Sequence, residues 1–187
     1  MKFYKMYAQP CVEEYVVPGD GIDVLFDGCL YSEFQYLDHA PITVEIAPEG
    51  GVIFPDFIVY QTIPLVSIEM RQVFTRFNAD YIFYKPVQLT NSARGIVEEY
   101  YLALPPRIDC LDSGRSIFVV GEEEDNRQPF ERRCEVSKIV IARKKIGRFD
   151  IFKIANSVNQ EIIVTERLKN ALERESFENL YFNELEE

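Results

Sequence analysis

Histidine is almost absent: of 187 residues, only His39 can offer an imidazole. Any His-assisted nucleophile or histidine-based metal centre would have to be built on that residue. The chain also lacks a phosphate-cradling GxxxxGK[ST] loop, a dinucleotide-type GxGxxG and a GxSxG nucleophile elbow. Its four cysteines, Cys11, Cys29, Cys110 and Cys134, are widely spaced and form no CxxC pair. That spacing argues against zinc and for buried free thiols. The longest apolar stretches, such as Ile139–Ala142, are far too short to span a bilayer. The N-terminal stretch carries Lys2 and Lys5 but no continuous apolar core and no small-residue cleavage site. It does not read as a signal peptide, and the cytoplasm is the expected location. Neither a metal nor a cofactor is expected.

Positive charge is also in short supply. Twenty Lys and Arg face 31 Asp and Glu, a formal net charge of -11. Such a surface repels nucleic acid and anionic lipid and suits a partner with a basic face. Apolar side chains are plentiful, at 47% of residues with 13% aromatic. That suffices for the core of one domain over residues 1–187, or of two small halves sharing a core.

Residues 65–87 and 163–185 look like two copies of one unit. They align without a gap at an offset of 98, and all ten apolar residues of the second fall opposite apolar residues of the first. In the first copy, Leu65-Val66 leads to Ser67, a good N-cap, and Glu69 falls in the first turn near the positive end of the helix dipole. Met70, Val73, Phe74 and Phe77 recur at spacings of three and four, so a helix follows, with Asn78 as its stop. Tyr81–Tyr84 is β-prone and predicts a strand that Pro86 closes or places at an edge. The second copy repeats the logic with strand Ile162–Val164, cap Thr165, first-turn Glu166, buried face Leu168, Ala171 and Leu172, and strand Asn179–Phe182. The units are therefore expected to superpose, with Ser67 and Thr165 at equivalent helix starts.

Other strands are expected at Lys2–Ala8, Ile22–Phe26, Thr43–Ala47, Phe57–Tyr60, Tyr100–Leu104, Ile117–Val120, Val136–Ala142 and Asp150–Ile154. Arg143–Arg148 reads as a basic hairpin turn with Gly147 in its bend, and Pro18–Gly21 as a turn. The fold class is α+β: a mixed or mainly antiparallel sheet with a few short helices.

No constellation announces a reaction. Cys110 with His39 has no local signature. Asp109 and Asp112 are three apart and could join Asp20 or Asp27 in metal binding or acid–base work, but Asp112-Ser113-Gly114 looks like a capped turn. Arg132, Arg133, Lys138, Arg143, Lys144, Lys145 and Arg148 form a basic stretch without interleaved stacking aromatics, best read as an exposed hairpin whose cations pair with nearby acids. Glu122, Glu123, Glu124 and Asp125 form an acidic loop that is either solvated or steers a basic partner. Glu184–Glu187 reads as a frayed tail.

Three stretches together resemble a bacterial immunity-protein family of polymorphic toxin systems, the myxobacterial-type immunity domain. They are Tyr100–Ser116 (YYLALPPRIDCLDSGRS), Asp150–Ile154 (DIFKI) and Glu161–Phe182 (EIIVTERLKNALERESFENLYF). Thr165 stands where the family usually has serine, and Ser176-Phe177-Glu178 where it has a glycine-bearing turn. The resemblance implies a non-catalytic protein that neutralises a cognate toxin domain by binding it, with Glu122, Glu123, Glu124 and Asp125 as candidate contacts. No family catalytic residue carries over. Nucleic acid and membrane are not expected partners, and a homo-oligomer stays open. The rival readings are a small-molecule enzyme using the His39 or Asp109/Asp112 region, and a scaffold or oligomerisation module.

Overall fold

In the computed structural model, residues 1–9, 13–19, 40–60, 63–77, 79, 81–120, 134–155 and 157–186 are described. In chain order the elements are β1 (Phe3–Tyr7), β2 (Ile42–Glu45), β3 (Phe57–Tyr60), β4 (Ile63–Ser67), α1 (Ile68–Arg76), β5 (Phe83–Asn91), β6 (Ile96–Leu104) and β7 (Arg107–Ile108). Then follow β8 (Ile117–Val120), β9 (Cys134–Lys138), α2 (Arg143–Ile146), β10 (Ile151–Ile154), β11 (Ile162–Thr165), α3 (Glu166–Arg174) and β12 (Tyr181–Glu184).

The strands form two five-stranded sheets, ordered β12-β1-β11-β10-β7 and β2-β5-β6-β4-β3, with β8 and β9 as a separate pair. Pairing is antiparallel except for β2 with β5 and β10 with β7. This is the α+β class that the sequence pattern predicts. The inner strands of both large sheets are buried on both faces. Val66, Ala103 and Phe57 enter one core cluster while their neighbours Leu65, Leu102 and Ile58 enter another. Val164 and Ile151 join the first cluster, and Ile163 and Phe152 a third. Strands buried on both sides read as continuous apolar runs rather than alternations, which explains IPLVS in β4 and IIVT in β11.

The two long helices start alike. Ser67 Oγ accepts from Met70 N at 3.2 Å and donates to Asp56 Oδ1 at 2.8 Å. Thr165 Oγ1 accepts from Leu168 N at 3.5 Å and donates to Asp150 Oδ1 at 2.6 Å. The backbone amides of Ser67 and Thr165 donate to the carbonyls of Asp56 and Asp150. Each cap so satisfies an amide that the first turn leaves orphaned. Met70, Val73 and Phe74 are buried in α1, and Leu168 and Leu172 in α3.

The surrounding pairings coincide residue for residue. Val66 faces Tyr101 and Phe57; Val164, 98 positions on, faces Tyr4 and Ile151. Lys85 and Pro86 face Leu102 and Tyr101; Asn183 and Glu184 face Lys5 and Tyr4. Thus β3, β4, α1, β5 and β6 correspond in place to β10, β11, α3, β12 and β1. The central strand comes from different parts of the chain, since β6 follows β5 directly whereas β1 lies at the N-terminus. Even a cation over two rings recurs: Arg71 lies 5.0 and 4.1 Å from the ring centres of Tyr84 and Tyr101, and Lys169 lies 5.1 and 5.9 Å from those of Tyr4 and Phe182.

The units interlock reciprocally. The amide of Asp150 donates to Tyr81 Oη at 3.0 Å, and Asn179 Nδ2, at the position matching Tyr81, donates to Phe57 O at 3.1 Å. These contacts explain why β5 and β12 begin two residues later than the β-prone runs suggest. Asn179 also takes a positive φ of 60°, which asparagine tolerates better than most residues.

Four further expectations need correction. Pro86 does not close β5, which continues to Asn91; it stands opposite Tyr101, one residue before β2 begins to pair at Ile42 with Val87. Arg143–Arg148 is not a hairpin turn. It holds the short helix α2 and Gly147 at φ 61°, and β9 and β10 pair in different sheets. The strand expected over Val136–Ala142 ends at Lys138, with Ile141 making an isolated bridge to Leu111. The acidic tail is tied down through Glu186: Glu184 is in β12 and pairs with Lys2, Leu185 N donates to Phe3 O, and Glu186 pairs with Lys138. Ile22–Phe26, the second half of the Pro18–Gly21 turn and Asn78 lie outside the described residues; α1 ends with Phe77 as its C-cap.

Candidate functional site

An open cleft of about 760 Å³ lies where the two units meet. It is lined by Asp56, Glu69, Gln72, Thr75, Arg76, Glu175 and Phe177. Asp56 precedes β3 and is held by the Ser67 hydroxyl on one oxygen and the Glu178 amide, at 2.9 Å, on the other. Glu69 projects from the first turn of α1, and Glu175 is the C-cap of α3. Arg76, in the last turn of α1, donates to Glu175 Oε1 at 2.9 Å across the junction. Among the described residues, Arg76 is the one cation lining the cleft, against three carboxylates.

The negative field reaches beyond the lining. Tyr100 is buried and its hydroxyl donates to Pro55 O at 2.6 Å. Burial first, then the charges of Asp56, Glu98, Glu178 and Glu69, push its phenol well above the usual tyrosine range. The arrangement offers clustered carboxylate acceptors beside an aromatic ring, chemistry that receives a cation. A second concavity of about 520 Å³ is lined by Met1, Phe3, Asp112, Arg115, Ile141, Ala142, Arg143, Lys144, Leu185 and Glu186.

The residues singled out from sequence lie elsewhere. Glu122, Glu123, Glu124 and Asp125 are outside the described residues, as are His39, Asp20, Asp27, Cys11, Cys29, Arg132 and Arg133. Asp112 accepts from Gly114 N at 3.1 Å, the expected turn cap, while Asp109 pairs with Lys145 at 3.2 Å. Lys138 and Lys145, from the basic stretch, are thus both paired with acids. Cys110 and Cys134 are buried free thiols. Burial pushes the Cys110 thiol up to about 12, so it is not an activated nucleophile. Among the described residues, no group of three or more His, Cys, Asp or Glu is placed to hold a metal ion, and no helix is long and apolar enough to cross a membrane.

The sequence reading missed the cleft. Glu69 is visible in it only as a dipole partner, and Asp56 belongs to none of its motifs. One signal was available: at an offset of 98, Glu69 falls opposite Arg167, a reversal of charge between helices whose caps and apolar faces match.

Fold and surface together define a small α+β protein with an acidic cleft where its two units meet. The immunity protein family Imm11 matches residues 10–187, and the chain belongs to that family. The match extends well upstream of the stretches that carry the resemblance in sequence. No curated protein matches the chain.

Proposed function

We propose that this chain is a non-catalytic immunity protein that neutralises a cognate bacterial toxin by binding it directly. The observation that carries the reading is family membership over nearly the whole chain; the acidic cleft between the units supports it. The partner is a toxin domain with a basic face. Charge of opposite sign speeds encounter, and desolvated anchors in the cleft supply lifetime. Glu122, Glu123, Glu124 and Asp125 add to the steering field. The protein acts in the cytoplasm, binds neither nucleic acid nor membrane, and functions as one domain over residues 1–187 whose two units descend from a duplication. Asp109 and Asp112, the carboxylates of the enzyme alternative, are engaged by Lys145 and by a turn.

The test is protection. The chain is co-expressed with the toxin-like product of its neighbouring gene, and binding of the two purified proteins is followed by calorimetry. Rescue of growth with a one-to-one complex is expected. Absence of both rescue and complex would sink the reading.

A further inference from the structure

The two units differ at one functional place. Asp56 and Asp150 are equivalent, each just before its edge strand and each accepting the hydroxyl of the helix cap. Glu69 and Arg167 are equivalent second residues of α1 and α3. Phe77 and Glu175 are equivalent C-caps.

At the second unit's position, Arg167 lies against Asp150 with its side chain 67% exposed. Its Nε donates to Asp150 Oδ1 at 3.3 Å and its Nη2 to Oδ2, and its guanidinium carbon lies 5.2 Å from the Phe77 ring centre. A carboxylate and a ring thus hold a guanidinium between them. At the first unit's position the same three places are Asp56, Glu69 and Glu175, and there the cleft opens. The arginine is replaced by a carboxylate and the ring by another. Asp56 Oδ1 accepts the Ser67 hydroxyl and Oδ2 the Glu178 amide, which leaves a further lone pair on each; Asp150 Oδ1 likewise takes a second donor, accepting both the Thr165 hydroxyl and Arg167. Glu175 is paired with Arg76 across the junction, so the incoming cation is received by Asp56 and Glu69. Phe177 still offers a ring in the lining.

We infer that the cleft at Asp56 receives an arginine side chain supplied by the bound partner, taking the place that Arg167 has in the other unit. The acidic lining alone would not carry this. The independent observation is the guanidinium already seated on the equivalent aspartate. Arginine fits better than lysine, because its planar fork spans two carboxylate oxygens as Arg167 does. That the donor is the cognate toxin rests on the proposed function; that the site takes a guanidinium does not.

The experiment titrates the isotopically labelled full chain with acetyl-arginine amide and follows amide resonances. Acetyl-citrulline amide, neutral and nearly isosteric, and acetyl-lysine amide serve as comparisons. Saturable shifts at Asp56, Glu69 and Glu175 are expected with arginine, at least threefold weaker with lysine and absent with citrulline. Glu69→Arg, which supplies the guanidinium within the chain, should abolish them; Glu69→Gln, a milder change, should weaken them at least fivefold. Equal shifts with citrulline, shifts spread over other acidic surfaces such as Glu98 and Glu99, or an unaltered titration in Glu69→Gln would each overturn the site. A cleft that titrates as expected, in a chain whose Glu69→Arg variant still binds the toxin with unchanged affinity, overturns the assignment of the toxin as donor and leaves the arginine site standing.

Discussion

Tyr81 and Asp150 belong to different units, and the phenol oxygen of Tyr81 accepts the Asp150 amide at 3.0 Å. The Tyr81 ring also stands edge-on to Phe149, with centroids 4.7 Å apart. Tyr81→Phe keeps the ring and removes the acceptor, leaving a part-buried backbone amide unsatisfied. A loss of about 1–2 kcal/mol is expected from urea unfolding. Unchanged stability would mean that this bond does not join the units.

The caps give a matched pair of tests. Ser67→Ala and Thr165→Ala each remove the hydroxyl that bridges an orphan amide and an aspartate. Each should cost about 1–2 kcal/mol, because the aspartate also loses its donor. The caps sit in different units, so the double variant should show nearly the sum. Thermal unfolding of the four chains measures it, and strong non-additivity would argue that the two helix starts are coupled.

Glu45 links β2 to the β5 strand and the turn beyond it. The Thr90 hydroxyl, at 2.6 Å, and then the Ser92 amide and hydroxyl hold its carboxyl below the usual glutamate range. A carboxyl depressed in the folded state stabilises fully above its unfolded pKa, and that contribution fades as pH falls through the lowered folded value. Glu45→Gln should therefore flatten the acid limb of the stability–pH curve while leaving its neutral limb parallel to wild type. Urea midpoints taken from pH 7 down to pH 3 decide, and an acid limb as steep as wild type counts against the role.

Cys110 has its thiol pushed up to about 12 by burial, and Cys134 is raised as well, by burial and by Glu161. At pH 8 the Cys110 thiol therefore stays protonated and unreactive. Iodoacetamide followed by peptide mass spectrometry should leave both cysteines unmodified in the native chain and label them in urea. Rapid native labelling of Cys110 would contradict its placement in the core.

Permutation tests the equivalence of the units. Glu184 faces Tyr4 and Leu185 N bonds Phe3 O, so residues 186 and 1 lie close enough for a short loop. Joining them and opening the chain at Gly95, in the turn between β5 and β6, gives each unit the connectivity of the other. The permuted chain should melt cooperatively within a few degrees of wild type. An unfolded product would show that the present connectivity is required.

The helix starts were legible because Ser67 and Thr165 stand directly before residues of helical period, and capping is a local preference. The buried strands were legible because two-sided burial leaves unbroken apolar runs. Strand partners were not: β9 and β10 look like neighbours across a basic turn, yet each finds its partner in another sheet, and no local pattern encodes that choice. The tail looked frayed because its tether lies in Lys2 and Lys138, far away in sequence. The cleft was hidden for a similar reason, since Glu175 joins Asp56 and Glu69 only through packing of one unit on the other.

The place of β1 between β11 and β12 has a consequence in time. Phe3 pairs with Thr165 and Tyr4 with Glu184, so β1 emerges from the ribosome long before either neighbour exists. The unit from β3 to β6 has all its strands once Leu104 is made, although its inner face shares a core cluster with the other unit. The other must hold an apolar strand open on both edges until synthesis passes Glu184. The sheet of the second unit therefore cannot close around β1 until nearly all of this sequence has been translated.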